Sequence, residues 1–485
     1  MDVYFSDYFN VSPEILEEYG AFNISLINDL PLFIDPFLLF NSKKSEYQKL
    51  HEQMLEYLRF LRDKSINGNV NNSLLKSWYQ FPEIKQNWLG FCESGNRGSG
   101  LGSDFAKSLH KNLNTIFSDF GQEKVTKGSH IEKLCLIKDG VGRDNISDFT
   151  TNLIHEFLLE YTQDFARKYI DPNFRTNIMV NNVRFNYHTE SWERDIYELP
   201  HFNSDYVLLT PKDILTKDEE WINRNDMIRE FNGIANAIPN DELRAQINNY
   251  FYSSLPKKAT KKEHDKVVNM TIDKYPQIID YYIKHKEDNG YLAEKNSLDK
   301  VIASKQLYIE HFKTLIDMLE QTGFYNTKAD TYDESLQRVQ FLKDTIENKD
   351  GYKIFYINGQ PIKREADLQI LYRLTWFATP SDVNREVNNG RGPVDFKVSR
   401  GSLDKTLIEF KLASNSQLKK NLQNQVEIYE KANNTKKSIK VILYFSESEL
   451  IKVSQILKEL KLENNENVVL IDARNDNKPS ASKAS

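Results

Sequence analysis

Asp395, Glu409 and Lys411 are the residues of this sequence whose types and spacing point most directly to chemistry. They stand in "PVDFKVS" and, fourteen residues on from Asp395, in "IEFKLA". Side chains alternate along an extended chain, so Leu407, Glu409 and Lys411 share one face while Ile408, Phe410 and Leu412 share the other. The apolar set is the packing face, and the charged pair points together away from it. Pairing with the preceding strand would bring Asp395 beside Glu409. Two carboxylates held close repel each other unless a cation sits between them. Hard oxygen ligands with no Cys or His nearby suit Mg2+ or Mn2+ better than zinc. Such an ion would polarise a phosphodiester and acidify a bound water. The Lys411 ammonium would orient that water or neutralise charge in the transition state.

The elements that must position these groups follow from the patterning of residues 351–475. "KIFYIN" is strand-like, and "PIKREADLQILYRLTWF" predicts a helix with Pro361 near its first turn. "VNREV" then turns through "NNGRG" into "PVDFKVS", and "KTLIEFKLA" follows as a strand. "SQLKKNLQNQVEIYEKA" predicts a helix, "IKVILYFS" a buried strand, "ESELIKVSQILKEL" a helix and "NVVLIDA" a last strand. In outline this is an α/β sandwich. On the first of those two helices Leu418, Leu422, Gln425, Tyr429 and Ala432 recur at four and three, which places Gln425 in the stripe that faces the sheet. A buried amide needs a partner, and an active site would supply one.

"PVD", then "EFK", then Gln425 on a following helix resembles the PD-(D/E)XK restriction-endonuclease-like nuclease superfamily over roughly residues 353–475. The resemblance implies an αβββαβ core in which Asp395 and Glu409 bind the metal, Lys411 assists the attacking water and Gln425 joins the site. It also implies a carboxylate from the preceding helix, for which Glu365 in "KREADLQ" is the first candidate and Asp367 or Glu386 the alternatives. The residue between Pro393 and Asp395 is a departure within a loose motif.

The rest of the 485-residue chain exceeds what one core usually organises. The expected fold is α/β and multidomain, with a mixed α/β region over 1–210, a helical bundle or arm over 211–350, the nuclease-like domain over 351–475 and a disordered tail over 476–485. "SDFTTNLIHEFLLEYTQDFARKY", with Phe149, Leu153, Phe157 and Tyr161 four apart, predicts a single core helix capped by Ser147 or Asp144. Residues 353–475 hold 20 Lys/Arg against 15 Asp/Glu, and the tail adds +1, which leaves −12 for residues 1–352 of a chain whose net charge is −6. A basic module therefore follows an acidic body, which suits a polyanionic substrate meeting the C-terminal part alone.

Other chemistries find less support. "GNRGSGLGSDFAKSLH" sets Gly98, Gly100 and Gly102 before a helix, but it lacks the GK[ST] of a phosphate-binding loop, and a flexible helix entry is the plainer expectation. The nine His show no ligand spacing, and His155 and His188 are expected to be structural. Only Cys92 and Cys135 occur, which suits a reducing compartment. No stretch reaches the roughly 18 uncharged apolar residues of a membrane span, and "MDVYFSDYFN" lacks the features of a signal peptide. A cytoplasmic location is expected.

These readings converge on a Mg2+- or Mn2+-dependent nuclease acting on DNA in bacterial anti-phage defence or restriction. The alternative is a catalytically silent nuclease-fold docking or scaffold protein within a defence assembly. The expected partners are DNA, a second copy of the chain through the helical region, and a partner defence protein.

Overall fold

The computed structural model describes residues 3–68, 70–90, 101–116, 123–137, 143–321, 330–374, 376, 381–384, 396–400, 404–423 and 437–478. Glu386, Asp395, Gln425, the glycines at 98 and 100 and the tail beyond Lys478 lie outside these residues. The described residues divide into two compact units, one within residues 1–302 and the other from residue 303 onward. Both mix helices with small sheets. Among the described residues no helix is long and apolar enough to cross a membrane.

In the first unit an antiparallel hairpin joins Arg175–Asn186 to Ser191–Phe202, with an irregularity in register between Val180 and Arg184. Its inward residues Val180, Val183, Tyr197 and Leu199 share a core with Ile84, Leu208 and Leu159, the last from the helix His155–Tyr169. Most of the remaining hairpin positions stay partly or fully exposed, as expected of a sheet covered on one face. The single helix predicted over 147–169 is in fact two, Arg143–Leu153 and His155–Tyr169, interrupted at Ile154 with φ −105° and ψ 18°. The Thr150 and Thr151 hydroxyls donate back to the Ile146 and Ser147 carbonyls at 2.7 Å, a bonding pattern that bends helices. Ser147 lies inside the first of the two helices, where its hydroxyl accepts from the Ile34 amide at 3.0 Å.

Residues 211–350 are mostly helical. Arg224–Ala237, Asp241–Ser254, Lys261–Lys274 and Gln277–Asp288 belong to the first unit, and Phe312–Glu320 and Thr331–Asn348 to the second. Polar caps account for where several of them start. The Asn223 side chain accepts from the Asp226 amide at 2.9 Å and Asn240 from the Leu243 amide at 2.8 Å. Thr260 and Glu263 form a reciprocal capping box. Asp330 accepts from the Tyr332 and Asp333 amides at 2.9 Å each.

The second unit is built on a five-stranded mixed sheet in the order Val468–Asp472, Ser438–Tyr444, Asp404–Leu412, Phe396–Arg400, Asp382–Asn384. The central strand Asp404–Leu412 runs antiparallel to Phe396–Arg400 and parallel to Ser438–Tyr444. On one face Tyr372, from the helix Glu365–Leu374, packs its ring 4.3 Å from Phe410 and 5.2 Å from Phe396. On the other, Leu418, Leu422, Val453, Ile456 and Leu457 close over Ile442 and Tyr444. Pro361 does not open the Glu365–Leu374 helix. Asn358 and Gly359, both at positive φ (51° and 73°), turn a short hairpin that pairs Tyr356–Ile357 with Gln360–Pro361, and the helix starts after it.

Candidate active site on the C-terminal sheet

The alternation read from the sequence holds in the central strand. Phe396 pairs with Ile408, and the Ile408, Phe410 and Leu412 side chains are buried on the face that Tyr372 covers. Glu409 and Lys411 project from the opposite face, and each is only 6 % exposed. Burying ionisable groups costs several kcal/mol each unless other groups compensate them, so two on one strand is more than a solvated face requires.

Glu365 reaches the same end of that strand from the first turn of its helix. Its Oε1 accepts from the Leu412 amide at 3.2 Å and from Asn415 Nδ2 at 2.7 Å, and its Oε2 lies 3.8 Å from Lys411 Nζ. Asp367, the alternative two residues on, is buried elsewhere. Its carboxylate takes the Tyr308 hydroxyl at 2.5 Å, and burial together with Asp367 pushes the Tyr308 hydroxyl well up from its ordinary pKa. Of these two carboxylates, Glu365 is the one beside Lys411. Asp395, Gln425 and the third alternative, Glu386, lie outside the described residues. The covalent neighbour of Asp395, Phe396, pairs with the residue that precedes Glu409. Among the described residues no group of three or more His, Cys, Asp or Glu is arranged to hold a metal ion.

One residue of this face escaped the sequence reading. Lys440 stands directly beside Glu409 in the parallel ladder, so the two side chains leave the sheet on the same side, and Lys440 is also 6 % exposed. The available signal was a lone cation within the apolar run "IKVILYFS". A second buried polar cluster lies on the apolar side of the sheet. Glu334 Oε2 accepts from Ser381 Oγ at 2.7 Å and from Arg400 at 2.6 Å, while Arg338 lies 3.2 Å from Glu334 Oε1 and 4.5 Å over the Trp376 ring. That cluster ties the helix Thr331–Asn348 to the sheet. His155, expected to be structural, has its Nδ1 3.2 Å from the Asn182 carbonyl and is buried.

A buried carboxylate and ammonium side by side on one strand, with a second carboxylate behind the ammonium, can bind a cation and hold a polar nucleophile close to it. Compared with known proteins, residues 331–447 match a family described as Domain of unknown function (DUF8371), and residues 10–223 match one described as Domain of unknown function (DUF8370). All five site residues named from the sequence, and Lys440, fall within the first of these matches. No curated protein and no solved structure matches the chain.

Proposed function

We propose that the chain is a metal-dependent nuclease whose C-terminal unit hydrolyses DNA phosphodiester bonds with a PD-(D/E)XK site, in bacterial anti-phage defence or restriction. The observation that carries this reading is the buried pair Glu409 and Lys411 on one face of the central strand, with Glu365 Oε2 3.8 Å from the Lys411 ammonium. The order of elements supports it. A helix, Glu365–Leu374, precedes the antiparallel strands, and residues 418–423 are helical before the parallel strand Ser438–Tyr444.

In this reading Asp395 and Glu409 would hold Mg2+ or Mn2+, whose charge would polarise the phosphate and acidify a bound water. Lys411 steers that water, or offsets the charge that grows on the phosphoryl oxygens. Glu365 keeps the Lys411 ammonium at that position, and Gln425 adds a polar contact to the site. The water oxygen bonds to phosphorus as the bond to the leaving oxygen breaks; the water sheds one proton to solvent and the leaving oxygen takes one from it, giving a phosphate monoester and a hydroxyl. The N-terminal portion recognises the trigger, a partner protein or the DNA itself.

A second reading, a catalytically silent nuclease-fold docking or scaffold module, is favoured by one observation. Lys440 stands beside Glu409, and an ammonium there balances the carboxylate without a metal. Incubating the full chain with plasmid DNA, linear DNA and RNA, with Mg2+, Mn2+ or chelator, separates the two. The nuclease reading expects metal-dependent DNA cleavage that is lost in Asp395→Ala and Lys411→Ala. Cleavage that survives both substitutions refutes the site, and a folded protein that cuts nothing with any metal leaves the docking module.

A further inference from the structure

The N-terminal unit gathers ionisable side chains where a core ordinarily excludes them. Asp35 and Glu132 are 0 % exposed, Glu220 3 % and Glu287 4 %, with His51 and His130 buried beside them. Most of these groups have evident work. Asp35 accepts from the Phe37 amide at 3.0 Å and the Trp221 amide at 2.8 Å, which caps the helix Pro36–Asn41 and ties it to residue 221. Glu287 accepts from the Lys127 amide at 2.7 Å and the Gly128 amide at 3.2 Å, and takes His130 Nε2 at 2.8 Å.

Glu132 and the other nitrogen of His130 have no such work. Neither Glu132 oxygen and not His130 Nδ1 makes a hydrogen bond among the described residues. The two groups face each other, with His130 Nδ1 4.0 Å from Glu132 Oε2. They sit two apart just before the helix Lys133–Ile137, so one local conformation presents both. His51 Nε2 is likewise without a hydrogen bond, and its ring centre is 6.0 Å from that of His130.

The chemistry of this arrangement is specific. Glu287 is an acceptor that already receives two backbone amides, so His130 donates to it through Nε2–H, and Nδ1 is the ring nitrogen that faces Glu132. A carboxylate behind one imidazole nitrogen, fixing the tautomer so that the other nitrogen can bind, is the usual support of a metal-ligating histidine. A fully buried carboxylate whose oxygens make no close hydrogen bond is costly, and a bound ion would offset that cost.

We propose that His130 Nδ1 and Glu132 are the first two ligands of a buried divalent-cation site in the N-terminal unit, with Glu287 as the positioning residue behind His130. Imidazole with carboxylate suits Zn2+ or Mn2+ rather than Ca2+. The described side chains do not already close three ligands on one point. The remaining positions fall to water, or to Asp35, Glu220 or His51 turning in when the ion binds. The site is separate from the C-terminal one and does not depend on the nuclease reading.

The test uses the full chain, freed of metal with chelator, then titrated with Zn2+ or Mn2+ and assayed for bound metal and for melting by tryptophan fluorescence. Four of the five tryptophans, at 78, 88, 192 and 221, lie in this unit. The expected result is an equivalent of metal that raises the melting temperature, remains in Glu409→Ala, and is absent when Glu132→Gln or His130→Ala is combined with Glu409→Ala. In Glu287→Gln the affinity should fall about 10–100-fold. Should Glu132→Gln or His130→Ala fail to fold, the wild-type titration and Glu287→Gln decide the matter. Absence of stoichiometric metal in the wild type, or binding that Glu287→Gln leaves unchanged, overturns the proposal. A Glu132→Gln protein that melts higher than wild type and binds nothing less also overturns it, and identifies Glu132 as a protonated structural acid.

Discussion

Glu409 and Lys440 stand side by side in the parallel ladder between the strands Asp404–Leu412 and Ser438–Tyr444, facing the same way and each 6 % exposed. An ammonium so placed balances the carboxylate when no metal is present. Taking away a buried charge leaves an opposite charge beside it less well compensated. Lys440→Met is therefore expected to lower the stability of the second unit, by about 1–3 kcal/mol. If Glu409 binds metal, Mg2+ should restore more stability to Lys440→Met than it adds to wild type. Urea denaturation followed by far-UV circular dichroism, with and without Mg2+, checks this. Equal Mg2+ effects in the two proteins argue against Glu409 as a ligand.

Glu365 and Asp367 lie two residues apart on one helix and are predicted to fail differently. Glu365→Gln keeps an oxygen for the Leu412 amide and Asn415 but removes the charge 3.8 Å from Lys411 Nζ. A misplaced catalytic group costs about 100-fold in rate, so DNA cleavage should fall on that order while the melting temperature holds. Asp367→Ala removes an acceptor of the buried Tyr308 hydroxyl and should cost about 1–3 kcal/mol of stability, with cleavage lost only in proportion to unfolding. Turnover measured beside thermal melting distinguishes them.

What the sequence made legible here was local. The division of Glu409 and Lys411 from Ile408, Phe410 and Leu412 needs only the two-residue period of a strand, and the order of strands and helices around it needs only short patterns. The break at Ile154 was hidden, because distant partners select it: Ser147 accepts from Ile34, and His155 meets the Asn182 carbonyl. The buried cluster of Asp35, His130, Glu132, Glu220 and Glu287 was hidden for a related reason. Its members are spread over some 250 positions, and no spacing rule links them. Lys440 was visible as a lone charge in an apolar run, but its importance rests on the register that sets it beside Glu409.

Arg338 should resist even its nearest replacement. The side chain is 0 % exposed, lies 3.2 Å from Glu334 Oε1, and stacks 4.5 Å over the Trp376 ring. Lysine cannot reproduce a planar group that pairs with a carboxylate while stacking on indole. Arg338→Lys is expected to destabilise the second unit by about 3 kcal/mol, the scale of a broken buried pair. A urea midpoint within error of wild type would show that the guanidinium is dispensable.

Acid should loosen the N-terminal unit through its buried imidazoles. Burial, with His130 adding to it, lowers His51 from the ordinary imidazole value of 6.5 to about 3, and burial lowers His155 to about 4. Between pH 6.5 and 4 the unfolded chain therefore takes up protons that the folded chain refuses. Stability from these groups is complete above pH 6.5 and is lost as pH falls. Asp35 works the other way. Burial raises its carboxyl to about 6, so its contribution is present at low pH and is lost as pH climbs from about 4 to 6, and Glu132, also raised, acts in the same sense. Because these terms partly cancel in the wild type, the sign is read from a difference. His51→Phe keeps a ring against Phe40 but cannot be protonated, so it should lose about 3 kcal/mol less stability than wild type between pH 6.5 and 4. Urea unfolding followed by tryptophan fluorescence across that range gives the comparison, and parallel profiles for the two proteins would show that His51 is not held neutral in the folded state.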